Sequence, residues 1–398
     1  YIASRRVRCG SEHAFRLPVG LAASDVQRRA DALVAAVGAP VEVIDRAGAV
    51  IVRVVEKDFP SVLHFDPSHL KDDALLIGYD RLLRPVYHPL NTHLLVGGAS
   101  GSGKTDWLRW IVYQLCRQKY TVLIADLKGI SFFPFETLPG VHVYSDLFEI
   151  RDMLERLVSE VDRRKAIIKQ TRNRALSRSF QKIAFIGDEG AVFSPSQHTG
   201  RMKTIAQECE AYIAYLGQQA REFQVFGILC YQRPDERTIN KQFKANIEAA
   251  IAFRTKDAVN SRIILDHDGA ERISPTTPGR CIYSYDRDYT LQTPYIGTDD
   301  DWERLLEPLK VEVLESGSSK RPEPQRVYID GSFTCAGRDN EAAVNAQSVV
   351  GSCEKGERGL EAVGGGKAGG MALAWPGKGL ESHEKRKAAA RRYSDEIE

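Results

Sequence analysis

Apolar positions near the start of the chain follow first a helical and then an extended pattern. Over residues 24–37 they recur every three or four residues, which predicts an amphipathic helix that begins at a Ser24 or Asp25 cap and ends at Gly38. The residues on its apolar face are Val26, Ala30, Leu33, Val34 and Val37. The valine- and isoleucine-rich runs 41–44 and 50–55, joined by a glycine-containing loop, predict a β-hairpin. We therefore expect a small α/β module over residues 1–74.

Between residues 75 and 310 the pattern changes to nearly continuous apolar runs that alternate with helical stretches. The runs cover residues 93–98, 120–126, 183–188, 225–232 and 249–253. Continuous apolar strands between helices are typical of a parallel sheet that is buried on both faces. This part of the chain is therefore predicted to be one large α/β domain.

Residues 311–398 differ from both preceding parts. They contain few large apolar residues and many glycines, serines and charges, and this composition predicts a disordered tail. The basic stretch near the end could touch DNA, but we favour a solvated terminal segment.

Bulk composition narrows the class of protein only slightly. The net charge of +2 over 398 residues does not by itself indicate a nucleic-acid partner. The seven cysteines are scattered singly, which favours reduced cytosolic thiols over a disulfide framework or a zinc site. No apolar run reaches the length of a membrane span, so we expect a cytoplasmic chain. Since the sequence begins at Tyr1 without a methionine, it leaves open the alternative that an upstream segment tethers the chain to the inner face of the membrane.

The strongest chemical signal is a glycine-rich loop between the apolar run 93–98 and the helix that follows it. Its residues satisfy the pattern GxxxxGK[ST] and are Gly98, Ala99, Ser100, Gly101, Ser102, Gly103, Lys104 and Thr105. In such a loop the backbone N–H groups and the start of the helix bind phosphate oxygens. We expect Lys104 to reach the β- and γ-phosphates of ATP and the Thr105 hydroxyl to ligate Mg²⁺.

A second signal ends the run 183–188, where Asp188 and Glu189 follow an apolar strand. An aspartate at this strand end can hold Mg²⁺, and the adjacent glutamate can act as the general base that activates water. Without the glycine-rich loop, a solvated turn would be the simpler interpretation. Gln232 ends the next run beside Arg233 and could contact the γ-phosphate or the water, although a polar strand end is an equal alternative before context is considered.

Six segments in this order resemble the FtsK/SpoIIIE family of DNA translocases. They are GGASGSGKT, IADLKG, IGDEGA, AREFQVFGILCYQRP, KANIEAAIAF and NSRIILDHDGAE, within about residues 75–297. The segments PGRCIY and LQTPYI, with a small module before the motor, look most like the coupling proteins of conjugative elements. Gly190, Val192 and Gln219 depart from the usual residues of the family, which puts loop contacts in doubt.

The resemblance implies a RecA-like P-loop ATPase core, a homo-hexameric ring and duplex DNA in its channel. It implies an arginine donated in trans to the γ-phosphate of the neighbouring subunit, for which Arg221 and Arg262 are the candidates. Either arginine could instead form a structural ion pair. A relaxase and membrane channel proteins are the further partners that a conjugative role implies.

The segment from Arg163 to Lys182 contains eight cations and no carboxylate. Within it, Arg172, Arg174 and Arg178 are the candidate DNA contacts, because cations neutralise phosphates without reading sequence. A solvated helix face or a subunit contact is the alternative. Three function classes remain, namely a DNA-translocating ATPase, a related secretion ATPase that moves protein, and a nucleotide-binding module without motor activity. The first is favoured because Lys104, Asp188 and Glu189 are all present.

Overall fold

A computed structural model describes residues 1–316 except 47, 48, 61, 91, 233–238 and 240, and gives only the backbone of residues 311–316. The predicted tail lies outside the described residues from 317 onward. The last described helix, Asp299–Ser316, crosses the boundary predicted at 310. Among the described residues, no helix combines the length and the hydropathy that a bilayer span requires.

The N-terminal module contains an antiparallel sheet of four strands in the order β1-β2-β4-β3. The predicted hairpin is confirmed as its β3–β4 pair, while β1 and β2 were not predicted because their sequences, ASRRV and GSEHAF, show no alternation of apolar residues. The bounds are β1 Ala3–Val7, β2 Gly10–Phe15, β3 Val41–Arg46 and β4 Ala49–Val55.

The single helix predicted over 24–37 with a Ser24 or Asp25 cap is wrong in two respects. The chain forms two short helices, α1 (Ala23–Gln27) and α2 (Ala30–Val37), and the N-cap of α1 is Ala22, whose backbone N–H donates to the Asp25 carboxylate at 2.8 Å. The Arg29 N–H bonds the carbonyl three residues back, at Val26, which tightens the turn and separates the two helices. The predicted end is confirmed, since Gly38 caps α2 in the left-handed conformation at φ 71°.

The second sheet has ten strands and carries the site described below. Its order is β6-β5-β14-β13-β12-β7-β11-β10-β8-β9. The six strands from β12 to β9 are mutually parallel, as predicted, and β6, β5, β14 and β13 extend the sheet by antiparallel pairing. The bounds are β5 Ala74–Tyr79, β6 Pro85–Pro89, β7 Leu94–Gly97, β8 Thr121–Ala125, β9 Val141–Tyr144, β10 Ile183–Gly187, β11 Val225–Tyr231, β12 Ala249–Phe253, β13 Arg280–Ser284 and β14 Asp288–Gln292.

Helices cover both faces of this sheet, which confirms the predicted RecA-like α/β core. One apolar cluster joins a face of the sheet to α3 and α8, and a second joins the other face to α4, α5, α6 and α7. The bounds are α3 Lys104–Arg117, α4 Leu147–Thr171, α5 Gly200–Gln219, α6 Lys241–Ala245, α7 Ala258–Leu265 and α8 Asp299–Ser316. The central strands are apolar on both faces because both faces are buried.

Helix α3 is fixed to the sheet by polar side chains as well as by packing. The indole N–H groups of Trp107 and Trp110 donate to the carbonyls of Ile77 and Leu76 in β5, at 3.0 and 3.1 Å. All four residues are buried, so each indole satisfies its donor inside the core. The helix that follows the glycine-rich loop is thereby held in a defined position.

Candidate nucleotide-binding site

The glycine-rich loop leaves the carboxyl end of β7 and enters α3 directly. Gly97 ends the strand and Lys104 begins the helix, so the predicted strand–loop–helix order is confirmed. Ser100 and Gly101 are exposed and Ala99 is half-buried, whereas Ser102 and Lys104 are buried. The loop therefore presents an accessible rim above a buried floor, next to the positive end of a helix dipole.

Backbone hydrogen bonds tie the loop to three neighbouring segments. The N–H of Gly98 donates to the carbonyl of Tyr231 at 3.1 Å, and the N–H of Ala99 donates to the carbonyl of Arg254 at 2.8 Å. On the far side of the loop, the carbonyl of Ser102 accepts the N–H of Gly279 at 2.8 Å. The ends of β11 and β12 and the start of β13 thus position the loop.

Two glycines of the loop have left-handed backbone conformations, but their surroundings differ. Gly101 has φ 72° and a Cβ there would meet open space, whereas Gly103 has φ 91° and a Cβ would lie 2.4 Å from the Gly279 nitrogen. Left-handed φ alone favours glycine at both positions. At Gly103 close backbone contact is a second reason.

Two charged side chains below the loop are buried without a hydrogen-bond partner. Lys104 is 4% exposed and Asp188 is 2% exposed. Within the described part of the chain, the Lys104 Nζ and the Asp188 Oδ1 make no hydrogen bond, and neither does the Ser102 hydroxyl. Unpaired buried charges are costly, so this arrangement is typical of a site that a charged ligand completes.

The environment alters the acidity of both predicted carboxylates. Burial raises the pKa of Asp188 and of Glu189, and the positive charge of Lys104 partly opposes the rise at each. A carboxylate whose pKa is raised by burial is a better proton acceptor than one in water. This is the property expected of a general base at Glu189.

Gln232 reaches Glu189 through its backbone. Its N–H donates to the Glu189 Oε1 at 3.4 Å, a long contact that links the end of β11 to the candidate base. A role for the Gln232 side chain at the γ-phosphate stays a prediction, and its neighbours Arg233 and Pro234 lie outside the described residues. Gly190 replaces the usual residue of the family for a local reason, because a Cβ at this position would lie 2.4 Å from the ring of Tyr231.

Asp126 is a third carboxylate at this edge of the sheet and was not predicted as a site residue. It follows β8, is buried, and accepts the N–H groups of Lys128 and Ser131 at 3.2 and 2.9 Å. The Asp188 N–H donates to the carbonyl of Ala125 at 3.1 Å, so Asp188 and Asp126 are neighbours, and the charge of Asp126 contributes to the raised pKa of Asp188. The signal was available, because Asp126 ends an apolar run as Asp188 does.

The structure places the two candidate trans arginines on different parts of the chain. Arg221 precedes β11, at the amino edge of the parallel strands and therefore opposite the glycine-rich loop, and pairs with Glu248 at 2.8 Å. Arg262 lies on α7, which packs through Ile264 against Gly97, and pairs with Asp268. Both are about half exposed, so either could exchange its partner for a group on another molecule.

The basic stretch does not approach the glycine-rich loop, because it joins the end of α4 to the start of β10 at the amino edge of the sheet. Arg163 and Arg164 are committed to Glu160, and Arg164, which is 1% exposed, also donates to the Phe223 carbonyl. Arg172, Arg174 and Arg178 are exposed, and Arg174 pairs with Glu222 at 3.1 Å. The three predicted DNA contacts are thus accessible, whereas the first two cations of the stretch are structural.

Comparison with known proteins relates the large domain to one family. Residues 80–262 match the FtsK/SpoIIIE family. The chain is 27% identical over 230 residues to the DNA translocase FtsK of Corynebacterium glutamicum, covering 50% of this chain and 24% of that protein. It is 24% identical over 294 residues to the DNA translocase FtsK of Mycobacterium tuberculosis, covering 66% of this chain and 34% of that protein. The chain therefore spans a quarter to a third of these relatives.

Solved structures agree on the fold. The pCW3 conjugation coupling protein TcpA, solved as a monomer with ATPγS, has a TM-score of 0.59 at 20% identity and covers 77% of this chain and 92% of that one. EssC (ATPases 2 and 3) of Geobacillus thermodenitrificans has a TM-score of 0.55 at 15% identity and covers 67% of this chain and 54% of that one. Residues 80–262 are thus similar to the FtsK/SpoIIIE family, and the fold is that of a P-loop ATPase core.

Proposed function

We propose that this protein is an ATP-dependent DNA translocase that acts in conjugative transfer or in chromosome or plasmid segregation. The observation that carries the proposal is the buried Lys104 Nζ and Asp188 Oδ1, which have no hydrogen-bond partner among the described residues and lie beneath a glycine-rich loop with Glu189 beside them. The match to a family of DNA translocases supports DNA as the cargo. A related secretion ATPase that moves protein is the alternative that an experiment must exclude.

Each predicted residue has a defined task in this proposal. The loop N–H groups and the Lys104 ammonium bind the phosphates of ATP, and Glu189 accepts a proton from the attacking water. Asp188 and Thr105 fit a Mg²⁺ site, because the Asp188 Oδ1 is buried and unpartnered and the Thr105 hydroxyl follows Lys104 at the start of α3. When bound, Mg²⁺ supplies charge neutralisation at the phosphates. Gln232, linked to Glu189 through its backbone, reports the state of the site to the segment that follows β11.

The proposed working form is a homo-hexamer with sites between subunits. A cation from the next subunit stabilises the charge that develops on the γ-phosphate, and Arg262 or Arg221 supplies it. A relaxase and membrane channel proteins are the partners that transfer would require, and the chain would act at the inner face of the membrane.

The experiment that tests the proposal measures ATP hydrolysis with duplex DNA of unrelated sequences and, separately, with an unfolded polypeptide. We expect DNA to stimulate hydrolysis regardless of sequence, because phosphate contacts position a duplex without reading bases. A channel that contacts about six phosphates should lose roughly a thousandfold in DNA affinity between 50 and 200 mM salt. Stimulation by polypeptide and not by DNA at low salt would overturn the proposal in favour of the secretion ATPase.

The same assay tests the basic stretch. Replacing Arg172, Arg174 and Arg178 together with glutamine should reduce the slope of log affinity against log salt by about 3 if all three contact phosphates. Glutamine at Arg28, Arg84 and Arg304 changes the net charge equally at exposed positions elsewhere, and serves as the matched control. An equal change in both triple variants would assign the effect to net charge and exclude a contact.

A further inference from the structure

The start of β13 touches the glycine-rich loop directly. The Gly279 N–H donates to the Ser102 carbonyl at 2.8 Å, and both residues are buried. Gly279 is held in place, since the Thr293 N–H donates to its carbonyl at 3.0 Å and the Thr293 side chain packs so closely that a Cβ at Gly279 would lie 2.6 Å from the Thr293 Oγ1. The position of Gly279 therefore helps to set the position of Ser102, and of Gly103 and Lys104 after it.

The next residue, Arg280, anchors this contact from the other side. Its side chain is 10% exposed and its Nε donates to the Gln292 Oε1 at 2.9 Å. The Gln292 amide donates in turn to the carbonyl of Pro278 at 2.9 Å, closing a ring around Gly279. Two neighbours of Arg280 come from the N-terminal module, because its guanidinium donates to Asp58 at 3.1 Å and lies 4.2 Å above the ring of Phe59.

Asp58 connects Arg280 to the sheet of the module through alternating charges. It accepts a hydrogen bond from Arg81 at 2.6 Å, and Arg81 also pairs with Glu42 on β3. Glu42 pairs with the buried Arg53 on β4 at 2.7 Å. Burial raises the pKa of Asp58, but the Phe59 N–H and the charges of Arg280 and Arg81 outweigh it, so the net pKa is lowered. Asp58 is therefore ionised at neutral pH and the chain of charges is complete.

We propose that Arg280 is a positioning residue for the glycine-rich loop and that Asp58 places it, so that the N-terminal module sets the nucleotide affinity of the motor. The inference rests on the proposed function, since it assigns a control to the same site. Arg280 touches the loop through Gly279, its neighbour in sequence. Its guanidinium matches the geometry required, because one planar group contacts Gln292, Asp58 and the Phe59 ring together.

The coupling must act in both directions. If the position of Asp58 changes the affinity for nucleotide, then bound nucleotide changes the stability of the Asp58 contact by the same factor. A partner that displaces the module would therefore weaken ATP binding without touching the ATP site.

The test measures the affinity of the full chain for ATPγS with Mg²⁺, without DNA. Asp58→Asn removes the charge but retains an oxygen for the Phe59 N–H, and Asp58 is half exposed, so the variant should fold. We expect its affinity to fall about fivefold, at the lower end of usual coupling strengths because the pair is partly solvated. Arg280→Lys, which keeps the charge and loses the planar fork, should fall in the same direction.

Asp31→Asn is the matched control. Asp31 pairs with Arg272 at 2.7 Å, so it also joins the module to the motor by an exposed ion pair, but the other ion-pair partner of Arg272 is Glu271, outside the ring around Gly279. Its affinity for ATPγS should equal that of the unaltered protein. An equal loss in Asp31→Asn and Asp58→Asn would reduce the effect to general loosening of the module and overturn the inference.

Amide hydrogen exchange distinguishes a coupling role of Asp58 from a purely structural one, because a purely structural role would not make the exchange rate depend on nucleotide. ATPγS should slow exchange of the Phe59 amide, which donates to Asp58 at 2.8 Å, in the unaltered protein and not in Asp58→Asn. The inference would be overturned, and the proposed function left intact, if Asp58→Asn bound ATPγS with unchanged affinity and ATPγS did not alter the exchange rate of the Phe59 amide in the unaltered protein. Failure of the unaltered chain to bind ATPγS, or normal binding by Lys104→Ala, would instead overturn the proposed function.

Discussion

Alanine at Gly103 should destabilise the nucleotide-free protein more than alanine at Gly101, although both glycines belong to the same loop. Both residues have left-handed φ, at 91° and 72°, and a non-glycine residue in that conformation costs about 1–2 kcal/mol. Gly101→Ala should lose only this amount, because its Cβ would meet open space.

Gly103→Ala carries a second cost. Its Cβ would lie 2.4 Å from the Gly279 nitrogen, so the two backbones must separate and the 2.8 Å hydrogen bond from Gly279 to Ser102 must lengthen or break. A buried donor and acceptor left without partners add about 1–3 kcal/mol. The total for Gly103→Ala is therefore about 2–5 kcal/mol.

Thermal unfolding of both variants without nucleotide measures the difference. Each kcal/mol lowers Tm by about 2–4 °C in a domain of this size class, so Gly103→Ala should unfold several degrees below Gly101→Ala. Equal Tm values would refute the reasoning, because they would show that the segment before β13 yields without cost. Such a result would also weaken the role given to Gly279 in transmitting the position of Arg280.

Three further predictions follow from the site and its surroundings. Lys104→Ala should lose about ten- to a hundredfold in ATP affinity, whereas Glu189→Gln should bind ATP and fail to hydrolyse it. Full ATPase activity in Glu189→Gln would exclude Glu189 as the general base. Alanine at the trans arginine, Arg262 or Arg221, should abolish ATP hydrolysis but not ATP binding. Mixing this variant with Lys104→Ala should restore some ATPase activity, because an intact loop in one subunit can meet an intact arginine from another. Mixed rings that form without regaining activity would exclude that arginine. His267 forms an ion pair with Asp288 at 3.0 Å, and the nearby carboxylate raises the pKa of His267 to about 9. The ion pair therefore stabilises the fold fully below the ordinary histidine pKa, and this stabilisation is lost as the pH rises through about 9. The free energy of unfolding should fall over this pH range in the unaltered protein, and the fall should be absent in Asp288→Asn.

The parts of the site that the sequence predicted are those where chemistry dictates residue type and spacing. Phosphate binding requires the glycine-rich loop and Lys104 in consecutive positions, and the strand-end rule located Asp188 and Glu189. Asp126 follows the same rule, but its run also resembled a plain structural strand and carried no adjacent glutamate. The parallel strands were predictable because burial on both faces makes them continuously apolar.

The contacts that the sequence did not predict join residues far apart in the chain. Neither residue type nor local pattern relates Gly279 to Ser102 or Asp58 to Arg280, since each pair meets through tertiary packing. The antiparallel strands β13 and β14 were missed for a different reason, because they contain charged residues and are only partly buried. The break between α1 and α2 depends on one backbone hydrogen bond, at Arg29, that residue spacing does not reveal.

The antiparallel pairing of β14 with β5 has a consequence for synthesis on the ribosome. Gln292 is opposite Tyr79, about 210 residues earlier, so β5, the first strand of the large sheet, cannot complete its pairing until β14, the last strand that the structure describes, has been synthesised. Until β13 and β14 have emerged, β12 and β5 each have an unpaired edge, and the β12 edge is strongly apolar. Apolar edges recruit other strands, and partly synthesised chains expose them for the longest time. The nascent protein should therefore depend on chaperones until about residue 292 leaves the exit tunnel, and chains that stop before residue 280 should aggregate.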